Sequence, residues 1–455
     1  MIKSMKFGGT SVGSIDALER MISIILKEEA NKAVVVSAMS GVTNSLLDCL
    51  AGKSEIDEIA NILLERYSTT AKAAITDPIY KTYYSKLEDA IGRLSEHLET
   101  YKDSPCEPLH DTIVSWGERL SSLTVAHILQ SRGRDGVSIT SEEAGIVAYG
   151  TYGNGSADLE LTNKNLKKNV LPLLNDGAIP VLTGFYGIGP EGKPMTFGRG
   201  GSDYSSSVVA CALEADCCEI WTDVNGFMTA DPRVVKDAFT IHEMDYSEAA
   251  ELAYFGAKVL HPRTVEPVRK RGIPLAVKNT FNPESKGTII RKIKNGSSGI
   301  LRSVASKADL SIVKIYSSEL VYQPDLVSRL VASVSGAAGN TYAVSTSLST
   351  IAFLIPSNTI DEVINRISTM HESQVEKYTV KSNVALICCV GDNMINMPGV
   401  AAKVFANMAT IGANIEMISE GASDVALNFV IPDDKALDAV RNIHKEFIGG
   451  PNEKF

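Results

Sequence analysis

Met5-Lys6-Phe7-Gly8-Gly9-Thr10-Ser11 is the stretch on which the chain turns. Residues 1–7 read as a short strand, followed by two glycines and two hydroxyls. A helix follows, with Ile15, Leu18, Ile22, Ile25 and Leu26 at helical spacing. Glycines between a strand and a helix let the backbone bend sharply and approach a ligand. The helix aims free N–H groups and the positive end of its dipole back at the turn, which favours phosphate. Lys6 at the strand's end is a cation long enough to reach the same phosphate. Alone, such a turn is more often plain chain geometry; its weight comes from matching parts elsewhere.

Those parts recur after each strand. Residues 33–36 are a continuous β-branched run, the texture of a strand buried on both faces of a parallel sheet. Residues 37–44 are read as the loop after it. Residues 136–140, 179–183, 219–222 and 274–277 are further strands, and residues 187–194 a Gly/Pro-rich hairpin. Helices are expected from Trp116, up to Leu174, over 206–215 and over 248–255. Strands alternating with helices define an α/β domain with a mostly parallel sheet. The polar motifs 8–11, 37–44, 184–187 and 223–233 all follow strands. Open α/β sheets bind ligands at the strands' carboxyl ends, so these motifs converge on one edge.

Residues 55–100 differ: two long amphipathic helices broken near Asp77-Pro78, read as a packed hairpin without chemistry. Residues 286–302, basic with Gly and Ser, read as a linker. Beyond it the order strand (310–316), helix (325–334), strands (341–345, 350–355) and helix (360–370) repeats from 384 onward. This is a βαββα duplication with a period of about 75 residues, longer than solenoid repeats. It implies two small α+β modules of ferredoxin type.

Composition sets bounds. A chain of 455 residues predicts two to four domains. Net charge of −10 argues against nucleic-acid or anionic-membrane partners. The seven cysteines show no CxxC or Cys/His spacing, so reduced thiols in a reducing compartment and no metal site are expected. The chain starts on a strand with no signal peptide and no apolar run near the ~20 residues of a membrane span, which predicts a cytoplasmic protein.

Lys6, Arg199 and Lys258 around a glycine turn supply surplus positive charge and backbone donors, as phosphoryl transfer requires. No Walker A, protein-kinase, Gly-x-Ser-x-Gly or zinc motif is present. A carboxylate nucleophile, already ionised, needs no general base; His242 and His261 read as structural. Arg199-Gly200-Gly201-Ser202-Asp203 goes beyond a helix cap, which needs neither the glycines nor the arginine. Glu118 suits either a helix first turn or a substrate ammonium, and Asp223 suits a turn.

The motifs in this order resemble the aspartate kinases (aspartokinases) of the amino acid kinase superfamily. The resemblance runs nearly the whole length: 6–11, 37–44, 117–119, 198–204, 221–223, 230–233 and 254–262. It implies an amino-acid-kinase-type parallel sheet sandwiched by helices over 1–295, with a helical insertion at about 53–110. Two ferredoxin-like ACT modules would follow over 306–383 and 384–455, the second completed by a strand at 299–305. It implies the conversion of ATP and L-aspartate to 4-phospho-L-aspartate and ADP with Mg²⁺, the first step toward lysine, threonine and methionine. By resemblance Lys6 stabilises the transferred phosphoryl group, Asp203 orients the lysines and Lys258 meets nucleotide phosphates. Thr43, Glu118, Phe185, Arg199 and Ser202 would hold aspartate, Arg199 gripping carboxylate and Glu118 ammonium. Lys6, Phe7, Gly8, Gly9, Thr222, Asp223, Met228, Arg233, Lys258 and Val259 would line the nucleotide site. Met228 stands where some relatives carry tyrosine, and Tyr342 where relatives often carry aspartate. The modules imply feedback by lysine or threonine and a homodimer or dimer of dimers. The rivals are another amino acid kinase, acting on glutamate or acetylglutamate, and a non-catalytic amino-acid sensor. The length predicts no room for a dehydrogenase domain within these 455 residues.

Overall fold

The computed structural model describes residues 1–256, 259–293, 301–370, 374–392, 394 and 397–449. It divides into two compact units. The first comprises Met1–Phe227, His242–Ala250 and Val259–Ile293; the second comprises Met228–Ile241, Glu251–Lys258 and Lys294–Phe455.

The first unit is built on an eight-stranded sheet: β1 (Ile2–Phe7), β2 (Asn31–Val36), β3 (Gly136–Ile139), β4 (Ile179–Thr183), β5 (Cys217–Thr222), β6 (Glu243–Met244), β7 (Leu275–Asn279) and β8 (Thr288–Ile290). Their spatial order is β6-β8-β7-β5-β1-β2-β4-β3. All neighbours are parallel except β7 and β8. The apolar run of β2 is explained by its two covered faces. Val34 and Val36 join a core with Met5, Phe7, Leu18 and Ile22, while Ala33 and Val35 join Leu182, Val208 and Val209 on the other side.

Helix α1 (Ile15–Lys27) starts at Ser14, whose hydroxyl accepts from the Ala17 N–H at 3.3 Å. Helices α2 (Val42–Leu50), α3 (Ile56–Ala74), α4 (Ile79–Asp103), α5 (Glu107–Val114) and α6 (Trp116–Ser131) follow β2. Leu63, Tyr67, Tyr83 and Leu87 of the α3–α4 hairpin are buried in the same core as Phe7. Helix α7 (Gly201–Ala212) covers the opposite face.

Three local expectations change. The stretch 37–44 is loop only to Gly41, because Val42–Asn44 form the first turn of α2. Helix α7 begins at Gly201, not at 206, so Ser202 and Asp203 sit in its first turn. Within 286–302, Thr288–Ile290 form β8, antiparallel to β7, so 274–277 is not the last strand of the sheet.

The second unit holds a six-stranded antiparallel sheet of β9 (Ser303–Tyr316), β10 (Ala343–Thr346), β11 (Thr350–Pro356), β12 (Lys377–Val390), β13 (Met417–Ser419) and β14 (Ala426–Pro432). The order is β10-β11-β9-β12-β14-β13. The segments expected at 299–305 and 310–316 are one continuous strand from Ser303. Its first half pairs with residues 386–390 of β12, and its second half with β11 and with residues 377–381. Both long strands turn at left-handed residues, Asp309 (φ 59°) and Asn383 (φ 57°), where the register shifts. Two βαββαβ modules therefore share β9 and β12. One core forms around Val313, Ile315, Phe353, Leu330 and Val363, the other around Val304, Ile387, Phe429, Val404 and Ile443.

The segment Met228–Ile241 packs in this second unit. Val304 N donates to Thr229 O at 2.9 Å, and Thr229 Oγ1 lies 2.9 Å from His444 Nε2. All seven cysteines are free thiols. Among the described residues no helix is long and apolar enough to cross a membrane.

Candidate active site

The carboxyl ends of the parallel strands line up. Gly8 N donates to Trp221 O, Ser37 N to Phe7 O, Gly184 N to Val36 O and Thr280 N to Thr222 O. The loops after β1, β2, β4, β5 and β7 thus emerge along one edge, and a cavity of about 530 Å³ opens there. Lys6, Thr43, Glu118, Phe185, Arg199, Ser202 and Asp203 all line it.

Each is placed by its element. Lys6 points to the α7 face of the sheet, and its Nζ lies 2.6 Å from Asp203 Oδ1 in an ion pair. Gly8 leaves that ammonium room: a Cβ there would stand 3.4 Å from Lys6 Nζ. Gly200 brings the chain into α7 with φ +71°, and a Cβ on it would come within 2.2 Å of the His261 side chain. Phe185 holds the rare φ of 79°, fixed by its N–H to Ser205 Oγ (2.9 Å) and by its carbonyl, which accepts from Phe197 N (2.8 Å). Arg199 has no hydrogen bond or ion pair among the described residues.

Glu118, in the first turn of α6, is 3% exposed. Its Oε1 accepts from Ser202 Oγ at 3.4 Å, while Oε2 is buried without a partner. Burial pushes the carboxyl up to about 8, against the opposing pull of backbone N–H groups, Ser202 and the Lys6 charge. An ammonium beside Glu118 requires the carboxylate, so a ligand bearing one must drive off the proton. Between pH 6 and 8 the affinity for such a ligand is expected to rise, by up to about tenfold per pH unit. Calorimetry at pH 7 in buffers of different ionisation enthalpy should register the released proton; a buffer-independent enthalpy would contradict this.

The nucleotide-side residues are distributed differently. Phe7 is buried and stacks on Trp221 at 5.9 Å. Gly9 packs on the next loop, where a Cβ would lie 2.9 Å from Ala38 O. Thr222 ends β5 beside β1, and Asp223 follows it, with Asn279 Nδ2 donating to Asp223 O at 3.4 Å. Val259 belongs to the first unit but does not line the cavity. Met228 and Arg233 lie in the segment that packs in the second unit, and Arg233 is ion-paired with Asp231 at 2.6 Å. Lys258 lies outside the described residues. His242 and His261 hold backbone, Nδ1 of the first lying 3.1 Å from Gly287 O and that of the second accepting from Arg263 N at 3.4 Å.

The sequence gives no sign of Asp111. Its carboxylate is 1% exposed at the cavity wall, and its Oδ2 accepts from Gly153 N, Thr196 N and Thr196 Oγ1 at 2.7, 2.7 and 3.0 Å. These bonds fix the strand that runs into Gly198 and Arg199. No local pattern marks an acid whose partners lie 42 and 85 residues away.

A parallel sheet whose carboxyl edge opens into a glycine-bounded cavity holding Lys6 and Arg199 suits phosphoryl transfer, and the model of the amino acid kinase family matches residues 1–279. An ACT domain model matches residues 387–447. Aspartokinase 1, chloroplastic, of Arabidopsis thaliana is 32% identical over 97% of this chain and 79% of its own length. Lysine-sensitive aspartokinase 3 of Escherichia coli (strain K12) is 30% identical over 96% of this chain and 97% of its own. The chain spans 50% of a bifunctional aspartokinase/homoserine dehydrogenase of A. thaliana, at 28% identity. The crystal structure of E. coli aspartokinase III with aspartate and ADP (R-state) superposes with a TM-score of 0.84 at 27% identity, covering 98% and 99% of the two chains. The T-state structure of that enzyme with lysine and aspartate gives 0.81 at 28% identity, with the same coverage. The chain belongs to the aspartokinases.

Proposed function

We propose that this chain transfers the γ-phosphoryl group of ATP to the side-chain carboxylate of L-aspartate, giving 4-phospho-L-aspartate and ADP. The observation that carries the substrate is the buried, unpartnered Oε2 of Glu118 in one cavity with Arg199 and the Lys6–Asp203 pair. The α-ammonium satisfies Glu118 and Ser202, and the guanidinium of Arg199 receives a carboxylate. The substrate's other carboxylate then faces Lys6.

A carboxylate oxygen forms the new P–O bond as the bond from the γ-phosphorus to the β,γ-bridging oxygen breaks, and ADP leaves with that electron pair. No proton has to be removed from the nucleophile, so the step needs no base; His110, at the cavity wall, has its Nδ1 3.4 Å from Asp111 Oδ1. Lys6 neutralises charge on the transferred oxygens, and Asp203 holds its ammonium in place. Thr222 and Asp223, at the end of the neighbouring strand, are the nucleotide-side residues of the first unit. Among the described residues no three His, Cys, Asp or Glu side chains group as metal ligands. Mg²⁺ would come bound to the triphosphate, the usual mode for this ion, and would neutralise phosphate charge there.

The second unit is the regulatory part, with lysine or threonine as effectors. The E. coli relative is named for its sensitivity to lysine. In the first module of this chain Tyr342 is covered by Lys307 at 4.7 Å and by Tyr254 at 5.6 Å, so an effector there meets an aromatic cluster. The paired modules support assembly as a homodimer.

The test is aspartate-dependent ADP release with Mg-ATP and hydroxylamine as acyl-phosphate trap, repeated with lysine, threonine and both. Hydroxamate with aspartate is expected. Hydroxamate only with glutamate or acetylglutamate would overturn the substrate.

A further inference from the structure

Two consecutive residues of α3 reach from the helical hairpin into the fabric of the site. Tyr67 is fully buried. Its hydroxyl donates to Gly117 O at 3.2 Å and lies 3.3 Å from Ser121 Oγ, with the Met39 backbone amide beside it. Arg66 Nη2 donates to Ser40 O at 2.8 Å, and Ser40 N donates to Gly9 O at 3.2 Å. The Ala38 N–H lies beside the Glu118 carboxyl and helps hold down its pKa. Ala38, Met39 and Ser40, three successive residues between β2 and α2, thus each face a different partner.

The fit is tight on the α6 side as well. A Cβ on Gly117 would stand 2.4 Å from the Ala38 Cβ. From behind, α4 fixes the tyrosine: Tyr83 OH donates to Tyr67 O at 3.2 Å and lies 3.0 Å from Thr124 Oγ1. For packing alone a phenylalanine would serve, since a buried hydroxyl is costly unless bonded. Here every partner of that hydroxyl belongs to the loop or the helical turn that carries the Glu118 contact.

We propose that Tyr67, supported by Arg66, is a positioning residue for the phosphotransfer. It locks residues 38–40 against the first turn of α6, so that Glu118 meets the substrate ammonium in register with Lys6. This rests on the reading of the cavity as the aspartate site. The hairpin at 53–110 is then a buttress of the substrate pocket, with its larger effect on the aspartate side.

Tyr67→Phe keeps the ring and removes only the hydroxyl. The expected result is an aspartate KM about tenfold higher and a lower kcat, with the KM for ATP within about twofold, since small misplacements of a positioned group cost up to about 100-fold. Arg66→Met, at a half-buried side chain outside the core, should move the aspartate KM in the same direction by a smaller factor, and Arg66→Lys should recover part of it. Arg66→Met tests the same loop should Tyr67→Phe fail to fold. Variants with a lowered Tm but wild-type aspartate KM and kcat would overturn the inference. So would equal changes in the KM values of both substrates. A wild-type chain that forms no hydroxamate overturns the reading of the site, and this inference with it.

Discussion

Lys6→Met should lower kcat by about 10²–10³-fold, the usual cost of removing one preorganised donor from a transferring group's charge. Lys6 is 7% exposed and its ammonium is held 2.6 Å from Asp203 Oδ1, so it cannot be replaced by water without reorganising the site. Its charge matters most when the γ-phosphoryl group is between donor and acceptor, so the loss falls on kcat more than on either KM. Methionine matches the length of the stem and leaves Asp203 unpaired in the first turn of α7, where the helix dipole offsets part of its charge. Asp203→Asn should cost less, because it loosens the ammonium without removing it. The double variant should match Lys6→Met rather than multiply the two losses, since both act through one group. Single-turnover hydroxamate formation measures this directly. A Lys6→Met enzyme within threefold of wild type would remove Lys6 from the mechanism.

Glu118→Gln should raise the aspartate KM by roughly 30- to 1,000-fold, the range for truncating one partner of a buried charge pair. The KM for ATP should stay near wild type, because Glu118 lies on the aspartate side of the cavity. The same substitution has the opposite sign for stability. The carboxyl titrates near 8 in the folded chain, well above its unfolded value of about 4.5. The folded state therefore holds the proton more tightly, and wild-type stability falls as pH rises from about 4.5 through 8. Glutamine does not titrate, so the variant should gain on wild type steadily over that window. Thermal unfolding at pH 5 and pH 8.5 would show it: a Tm difference that shifts toward the variant at the higher pH. The steep pH dependence of the aspartate KM should vanish in the same variant. A variant more stable but poorer at binding is the signature of a buried group kept for a ligand.

Much of this site was legible because the physics of a parallel sheet is local. A run such as Val34-Val35-Val36 announces a strand covered on both faces, and its position fixes where the following loop emerges. Lys6 and Arg199 stand out as cations around a glycine turn, whereas the positions of Glu118, Ser202 and Asp203 alone leave their roles open and the resemblance supplies them; the structure brings all five to one cavity. What escaped did so for stated reasons. Gly201 begins α7, but two glycines in a row read as loop, so the helix was expected five residues late. The three-residue β8 is too short to show a period. Strand β9 read as two pieces because Asp309 and the shifted register break its alternation. Asp111 and Tyr67 act through partners distant in sequence, and no local pattern carries that information. Met228 and Arg233 follow β5 in the chain, yet their segment packs in the second unit, a partition that proximity in sequence conceals.

The shared strands of the second unit bear on how such a chain can diversify. Residues 384–447 hold three strands of one module, and the fourth is 303–307, on the far side of the other module in sequence. Recombination that imported residues 384–447 alone would deliver a half-sheet with an open edge along 386–390, a template for aggregation. Duplicated modules are ordinarily easy material for gene shuffling; these are interlocked and inherited together. New effector preferences must arise by point substitution within the pair, or by replacing everything from Ser303 onward in one step.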